Sequence, residues 1–135
     1  MFPMQICVLP EISRPLLDKF YRAHQSPMRG KGEATAWVVR DPQIIAALCI
    51  TPVDGGHWLT GVFVAPDRRG QGIAARLIEA AVAQVGGKVW LFCHPELGDF
   101  YARLKFEAVS DLPETLAGRF TRYARTKALI ALYRQ

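Results

Sequence analysis

The first quarter of the chain contains one short apolar run and then a stretch in which apolar residues recur every three or four positions. Met4 to Leu9 is apolar apart from one glutamine, which predicts a first strand. Ser13 follows as a candidate N-cap, and Pro15 suits the first turn of a helix. The helical spacing continues for about three turns. The residues that follow this helical spacing are Leu16, Leu17, Phe20, Tyr21 and His24.

The next part of the chain alternates turn residues with strand-like runs. Gln25 to Glu33 contains one proline and two glycines and predicts a loop or a broken helix. Ala36 to Val39 and Ile44 to Ile50 are apolar runs separated by Arg-Asp-Pro, which indicates a hairpin. An Asp-Gly-Gly turn then leads into a third run, Trp58 to Val64. The sequence therefore predicts an antiparallel meander.

The apolar period changes after the third run. The loop Ala65 to Gln71 precedes a helical pattern whose end is marked by Gly86 and Gly87. The predicted apolar face of this helix is Leu77, Ile78, Ala81, Val82 and Val85. Val89 to Cys93 follows as a buried strand. A strand, a crossover helix and a strand form a parallel unit, and its right-handed geometry places the helix N-terminus at the carboxyl ends of the strands, where ligands bind.

The last third of the chain predicts a further helix and two further strands. The helix has one apolar side, formed by Leu97, Phe100, Tyr101 and Leu104. Phe106 to Val109 and Lys127 to Tyr133 are the candidate strands. No repeat, low-complexity segment or long linker divides the chain, so we expect one domain over residues 1–135. The fold class is α/β, or α+β if the sheet is counted as mixed.

The candidate chemistry is concentrated in the loop before the long helix. Gly70 and Gly72 let backbone N–H groups turn inward, and the helix that begins there adds unpaired N–H groups and a positive dipole end. Such a nest binds a pyrophosphate. The pair Arg68-Arg69 adds mobile positive charge, and Ala74-Ala75 keeps the first helical turn slim enough for close approach.

Three other interpretations of this loop compete with a pyrophosphate site. A glycine turn that only connects strand and helix is the simplest, although the flanking arginines and proline disfavour it. A dinucleotide fold fits the spacing of Gly70, Gly72 and Ala75, with Glu96 about twenty residues further on. However, five residues separate the strand from the first glycine, and too few residues remain for a second half. A triphosphate loop fails, because it needs Lys and then Ser or Thr after the last glycine.

Two motifs in the chain resemble those of the GNAT N-acetyltransferases. The acyl-CoA loop of that family is Arg or Gln, two residues, Gly, one residue, and Gly or Ala, and the matching residues here are Arg69, Gly70, Gln71, Gly72, Ile73 and Ala74. Val64 and Pro66 also match the strand exit of the family. FYARLKF, Phe100 to Phe106, is similar to the Phe-Tyr-x-x-Leu-Gly-Phe segment of the family. The resemblance covers about Ala36 to Val109.

The resemblance implies a fold and a reaction. The fold is a central twisted, mostly antiparallel sheet with a splayed pair of parallel strands and flanking helices. The reaction moves an acetyl group from acetyl-CoA to a primary amine of a small molecule or peptide. Backbone groups of Phe63 and Val64 would bind the pantetheine arm. Tyr101 would act as the acid that assists the departing thiolate. The alternative for Tyr101 is simple packing against its apolar neighbours.

Two positions depart from the family pattern. Lys105 stands where the family usually has glycine, so we expect a different turn after that helix. His94 stands where the family often has an asparagine that contacts the cofactor, and we expect His94 to take that contact.

The general base and the acceptor stay open at this level. The strand Trp58 to Val64 contains no acid, which leaves His57, Glu33, His94 or a water relay as candidates for the base. The late arginines recur every three residues and would suit an acceptor with a carboxylate or phosphate if they face the cleft. They are Arg119, Arg122 and Arg125. A non-catalytic acyl-CoA sensor that regulates a partner protein is the main alternative function.

Composition limits the remaining function classes. Half of the residues are hydrophobic, which suffices for a compact core. The longest apolar run is much shorter than the ~20 residues that cross a membrane, and the N-terminus lacks the pattern of a cleavable signal. We therefore expect a cytoplasmic protein with no membrane partner. A homodimer is one open possibility for its assembly.

Charge and cysteines point to neither nucleic acid nor metal. The formal charge of +5 is spread in ones and twos, so we expect no nucleic-acid partner; steep salt dependence of DNA binding would indicate one. Cys7, Cys49 and Cys93 lie far apart in apolar runs, which favours buried free thiols. Cys93 and His94 are adjacent, and neighbours in a strand point to opposite faces, so no metal site is expected.

Overall fold

The computed structural model describes residues 4–26, 28 and 32–135. The loop or broken helix that we expect at Gln25 to Glu33 lies partly outside this range, because Pro27 and residues 29–31 are not among the described residues. The strands and helices that follow are therefore those of the described part of the chain.

The predicted elements are present in the predicted order, and the structure adds a helix, Glu114–Ala124, that the sequence analysis did not delimit. The strands are β1 Gln5–Val8, β2 Thr35–Arg40, β3 Ile44–Val53, β4 Gly56–Val64, β5 Val89–Cys93, β6 Glu107–Ala108 and β7 Ile130–Arg134. The α-helices are α1 Arg14–Ala23, α2 Ile73–Val85, α3 Gly98–Arg103 and α4 Glu114–Ala124. Short 3-10 turns lie at Glu11–Ser13, Pro66–Arg68 and Pro95–Leu97.

In the described residues, seven strands form one mixed sheet in the order β1-β2-β3-β4-β5-β7-β6. The pairs β1–β2, β2–β3, β5–β7 and β6–β7 are antiparallel. β4 and β5 are parallel, and their register joins His57 to Val89 and Trp58 to Trp90. The predicted mixed sheet, with its meander and its parallel strand-helix-strand unit, is confirmed.

The chain divides into two compact units, which are described separately. One unit comprises the described part of Met1–Thr51 together with Leu59–Gln84, and the other comprises Pro52–Trp58 and Val85–Gln135. β4 passes from the second unit into the first. The single domain inferred from the sequence stays a prediction.

The first unit buries an apolar side of α1 against strand residues. Its core cluster consists of Leu9, Leu17, Phe20, Tyr21, Ala34, Ala36, Val38, Ala47, Cys49 and Ala65. Ser13 occupies the N-cap position of α1, but its side chain makes no capping hydrogen bond. The reason is local: Ser13 ends a 3-10 turn with φ −93° and ψ 7°, and not in the extended conformation that a capping serine normally has.

In the same unit, α2 buries four of the five residues of its predicted apolar face, whereas Val85 is half-buried. Its buried residues are Ile73, Leu77, Ile78, Ala81 and Val82. Gly86 and Gly87 follow the helix with φ of 64° and 67°, as expected for glycines that end a helix.

The second unit is built around β5, whose Val89, Trp90, Leu91 and Cys93 are buried. Tyr101 and Leu104 of the predicted apolar side are buried as well. Leu97 is an exception, since this residue is 46% exposed. It lies in the 3-10 turn before α3, so the helical period does not extend back to it.

Candidate functional site

The loop between β4 and α2 has the backbone conformation that the two glycines allow. Gly70 and Gly72 have φ of 78° and 76°, in the left-handed region that other residues rarely adopt. A Cβ atom built at either glycine would meet no protein atom within 4 Å. The loop therefore faces open space on the side of both glycines, as a ligand-binding loop must.

This loop and the first turn of α2 contain unpaired N–H groups. Among the described residues, the N–H groups of residues 70–75 donate to no partner, whereas the next one, that of Arg76, donates to Gly72 O at 3.2 Å. Ile73 is buried and anchors the turn, while Gln71 is exposed and Ala74 is half-buried. Unpaired amides at a helix N-terminus, where the dipole is positive, form a site for phosphate oxygens.

Arg68 does not have the mobility that we expect from the sequence. Its Nη1 donates to Oδ2 of Asp41 at 2.8 Å, and its Nη2 approaches the Asp41 carbonyl oxygen at 3.5 Å. Both side chains are about one quarter exposed, at 30% and 23%. Arg68 thus ties the loop to the turn between β2 and β3, and only Arg69 of the pair lies next to the glycines without an acidic partner among the described residues.

Arg69 holds the end of β4. Its Nε donates to the Val64 carbonyl oxygen at 2.9 Å, and its guanidinium lies 5.1 Å from the centre of the Phe63 ring. The Phe63 ring also packs against Phe20 of α1 at 5.9 Å and against His24, the residue that ends that helix, at 5.7 Å. The backbone of Phe63 and Val64, the expected contact of the pantetheine arm, is therefore held from both sides.

The sequence analysis missed a contact at Gly61, two residues before Phe63 in β4. The hydroxyl of Tyr21 donates to the Gly61 carbonyl oxygen at 2.8 Å, and Gly61 has a φ of 68° in the middle of the strand. A glycine inside a strand pattern signals a bulge or a close backbone approach, so the position could have been flagged. The partner of Gly61 could not have been predicted, because Tyr21 lies forty residues away in the chain.

Tyr101 occupies a buried position in the second unit. Its ring packs edge-on against Phe100 at 5.0 Å and against Phe106 at 5.7 Å. The residue as a whole is 6% exposed. Burial, with a smaller effect of the buried Cys93 thiol, raises the pKa of Tyr101 to about 12. The tyrosine therefore stays protonated at neutral pH.

His94 lies at the end of β5 and caps the turn before α3. Its Nδ1 accepts a hydrogen bond from the Glu96 N–H at 3.1 Å. The Glu96 carboxylate lies 3.9 Å from the same nitrogen, a contact that would require a protonated ring, and the shorter hydrogen bond requires an unprotonated Nδ1. We assign the neutral tautomer, which leaves Nε2–H as a donor on a side chain that is 53% exposed.

Lys105 does not change the turn after α3 in the way we expect. It has a φ of 69°, the left-handed conformation that glycine adopts most readily. Its N–H donates to Ala102 O at 3.0 Å, and the Phe106 N–H donates to Tyr101 O at 3.1 Å. This is the hydrogen-bond pattern of a Schellman motif, which usually has glycine at this position. The lysine accepts the strain, and the turn keeps a glycine-type conformation.

The structure groups the proposed site residues by unit. Phe63, Val64 and the loop residues 69–74 lie together in the first unit, and His94 and Tyr101 lie in the second. Among the candidate bases, His57 has a buried, unpaired Nδ1, whereas Glu33 is exposed. The arginines of the late series lie on or next to α4, where the Arg119 guanidinium lies 4.9 Å above the Trp58 ring.

The described residues contain no cluster of three or more His, Cys, Asp or Glu side chains that could hold a metal ion. Cys49 and Cys93 are buried free thiols, and Cys7 is half-buried and free. Within the same residues, no helix has the length and apolar character needed to span a bilayer.

Comparison with protein families identifies the class to which this loop and sheet belong. Residues 32–108, more than half of the chain, match the acetyltransferase (GNAT) domain. The chain therefore belongs to the GNAT acetyltransferase family. No curated protein matches the sequence.

Solved structures share the fold at low sequence identity. N-acetylglutamate synthase from Neisseria gonorrhoeae, complexed with coenzyme A and N-acetyl-glutamate, superposes with a TM-score of 0.76 and 15% identity over 99% of this chain. The chain spans 35% of that synthase. Escherichia coli ElaA matches with a TM-score of 0.72 and 16% identity, and all of each chain is covered. Arabidopsis thaliana Naa50, in complex with the bisubstrate analogue CoA-Ac-MVNAL, matches with a TM-score of 0.69 and 11% identity over 99% of each chain.

Proposed function

We propose that this chain is an acetyl-CoA-dependent N-acetyltransferase that acetylates a primary amine of a small molecule or peptide. The observation that carries the proposal is the set of unpaired amides around Gly70 and Gly72. They lie at the N-terminus of α2, beside two glycines that have no protein atom near a Cβ position. Two linked phosphates of acetyl-CoA fit such a set, because each phosphate oxygen accepts N–H donors and the helix dipole favours their charge.

The remaining cofactor contacts follow from the end of β4. We assign the pantetheine arm to the backbone of Phe63 and Val64, since extended amides of the arm can pair with strand N–H and carbonyl groups. Arg69 stabilises this segment through Val64 O. The outward Nε2–H of His94 is the donor that we assign to the cofactor in place of the asparagine common in the family.

The transfer step requires three events. The neutral amine attacks the thioester carbonyl carbon, the resulting oxyanion is stabilised by a donor, and the carbon–sulfur bond then breaks to release the coenzyme A thiolate while the amine nitrogen loses a proton. We assign the thiolate contact to the Tyr101 hydroxyl. With a pKa of about 12, Tyr101 is a weaker acid than a thiol, so it stabilises the thiolate mainly by donating a hydrogen bond.

The fold neighbours support amine-bearing acceptors of two sizes. One was solved with N-acetyl-glutamate, and another with an analogue that joins coenzyme A to a peptide. A small-molecule amine and a peptide amine are therefore the two acceptor classes to test. The cytoplasmic location and the homodimer stay predictions from the sequence.

Calorimetric titration with acetyl-CoA, desulfo-CoA and NADH tests the cofactor assignment. We expect the two coenzyme A compounds to bind with similar affinity, because both contain the 3′-phosphorylated nucleotide, the diphosphate and the pantetheine arm. We expect no binding of NADH, which has a diphosphate but lacks the 3′-phosphate and the pantetheine arm. Preferential uptake of NADH by the folded chain would contradict the proposal.

A thiol-release assay with acetyl-CoA and a panel of amino acids, small amines and short peptides tests the transfer. At least one amine should release coenzyme A faster than water does. A chain that binds acetyl-CoA tightly and releases no thiol with any amine would instead have the behaviour of the sensor, and the enzymatic proposal would be wrong.

A further inference from the structure

The hydrogen bond from Tyr21 to Gly61 joins α1 to the middle of β4. Tyr21 is 1% exposed, and its hydroxyl donates to the Gly61 carbonyl oxygen at 2.8 Å. Burial raises the pKa of Tyr21 above its ordinary value, with further contributions from Cys49 and Asp18, so the hydroxyl stays a donor at any pH used in an assay. A buried carbonyl that lost this donor would be left unpaired at a cost.

Gly61 is the position where β4 departs from regular strand geometry. Its φ of 68° is accessible to glycine and strained for other residues. A Cβ atom at this position would lie 2.9 Å from the Tyr21 hydroxyl oxygen and 3.7 Å from the Tyr21 ring carbon that bears it. The contact thus selects glycine twice, once by the backbone conformation and once by the space that the hydroxyl occupies.

The end of α1 holds Tyr21 firmly in place. The Tyr21 carbonyl oxygen accepts from the N–H groups of His24 at 3.2 Å and Ser26 at 2.9 Å, which closes the helix. Phe20 in the last turn of this helix and His24 at its C-cap provide the rings that pack on Phe63. α1 therefore contacts β4 at two positions on one side, Gly61 and Phe63.

We propose that Tyr21 is a positioning residue, whose hydroxyl fixes the irregular backbone at Gly61 and thereby orients the Phe63 and Val64 groups that take the pantetheine arm. This inference rests on the proposed function. Gly61 is two residues before Phe63. A backbone rotation at Gly61 would therefore change the direction of the N–H and carbonyl groups that follow it, up to Val64, whose carbonyl oxygen is held by Arg69.

A purely structural role for Tyr21 predicts a different effect of Tyr21→Phe on cofactor binding. If the ring only filled the core, phenylalanine would serve equally, since Tyr21→Phe keeps the ring and removes a single oxygen atom. Positioning requires instead that the loss of the hydroxyl affects the pantetheine half of the cofactor and spares the nucleotide half, which binds at the glycine loop.

The first test compares two ligands in calorimetry, namely acetyl-CoA and 3′-phospho-ADP, the nucleotide half of coenzyme A. For Tyr21→Phe we expect the Kd of acetyl-CoA to rise about five- to tenfold, as for the loss of one well-placed hydrogen bond, while the Kd of 3′-phospho-ADP stays within about twofold. The matched control is Leu17→Val, a change in the same helix and core that loses stability without touching β4 at Gly61. Leu17→Val should change neither Kd.

The outcomes separate this inference from the proposed function. If the unchanged chain binds neither ligand, the proposed function fails. If the unchanged chain binds both and Tyr21→Phe weakens neither, or weakens both equally, the positioning role is overturned while the proposed function stands.

The second test uses stability and needs no ligand. In the unchanged chain, Gly61→Ala adds a clash with the Tyr21 hydroxyl to the backbone strain; in the Tyr21→Phe background only the strain remains, because the next atom is at ordinary contact distance. We therefore expect Gly61→Ala to shift the urea midpoint less in the Tyr21→Phe background than in the unchanged chain. Equal shifts in the two backgrounds would show that the hydroxyl does not hold Gly61, and would overturn the inference.

Discussion

Tyr101 and Phe106 contact each other twice across the end of α3, once through the backbone and once through their rings. The Phe106 N–H donates to the Tyr101 carbonyl oxygen at 3.1 Å, and the ring centres lie 5.7 Å apart. Both contacts depend on the left-handed conformation of Lys105 between them. The side chain that we assign to the departing thiolate is thus held by a turn that contains a strained residue.

Lys105→Gly should stabilise the chain. Glycine adopts the left-handed conformation without the strain of a Cβ atom, so the free energy of unfolding should rise by about 1 kcal/mol in urea denaturation. Gln25→Gly makes the same change at the corresponding position after α1, where φ is 57°, and should have the same sign. Lys105→Ala is the control, since it removes the charge and keeps the strain. A similar gain for Lys105→Ala would assign the effect to charge.

Tyr101→Phe should lower kcat by about a hundredfold and change the KM for acetyl-CoA little, because the hydroxyl acts on the thiolate that forms during the reaction. Steady-state thiol release over a range of acetyl-CoA concentrations measures both constants. A variant with unchanged kcat would show that Tyr101 has only a packing role.

The pKa of Tyr101 also predicts how stability depends on alkaline pH. The folded-state pKa of about 12 lies above the ordinary value of 10.0, so between these values the unfolded chain has lost a proton that the folded chain retains. The free energy of unfolding should therefore be unaffected below about pH 10 and decline as the pH rises toward 12. Tyr21 contributes in the same direction. Tyr101→Phe should make the decline shallower in urea titrations between pH 9 and 11, and an unchanged slope would contradict the assigned shift.

Gly72→Ala and Gly86→Ala form a matched pair. Both glycines have a left-handed φ, 76° and 64°, and open space where a Cβ atom would lie. Each substitution should cost about 1 kcal/mol of stability from backbone strain. Only Gly72→Ala should also weaken acetyl-CoA binding, by more than about tenfold, because its methyl group would take the space of a phosphate. Calorimetry on both variants decides this, and equal effects on binding would remove the glycine loop from the site.

The pair of Arg68 and Asp41 should hold the glycine loop in place. A double-mutant cycle with Arg68→Ala and Asp41→Ala should give a coupling of about 0.5–1 kcal/mol in urea denaturation, the range expected for a partly exposed pair. Each single variant should weaken acetyl-CoA binding a few-fold, since the loop loses its tie to the turn between β2 and β3. Additive effects on stability, with unchanged binding, would show that the ion pair contributes nothing to the loop.

Much of the fold was predictable because its signals are local. The change of apolar period after Val64, the two glycines after α2 and the β5 run each depend on residues a few positions apart, and each appears where predicted. The glycine loop was predictable for the same reason, since a left-handed φ and a helix N-terminus are properties of adjacent residues. One error was also local in origin. The helical pattern of apolar residues includes Leu97, but the structure places Leu97 in a 3-10 turn and begins α3 at Gly98.

The spacing of the apolar residues and the glycines therefore determined by themselves the strands, the first three helices, their order and the loop before α2, whereas α4 was not delimited. Tertiary structure alone decided which side chains support that loop and the strand before it. The pairing of Arg68 with Asp41 spans 27 residues, and the bond from Tyr21 to Gly61 spans 40. The physical reason is that a local pattern encodes backbone conformation, whereas the partner of a charge or a hydroxyl depends on which distant segment the fold brings within hydrogen-bonding distance.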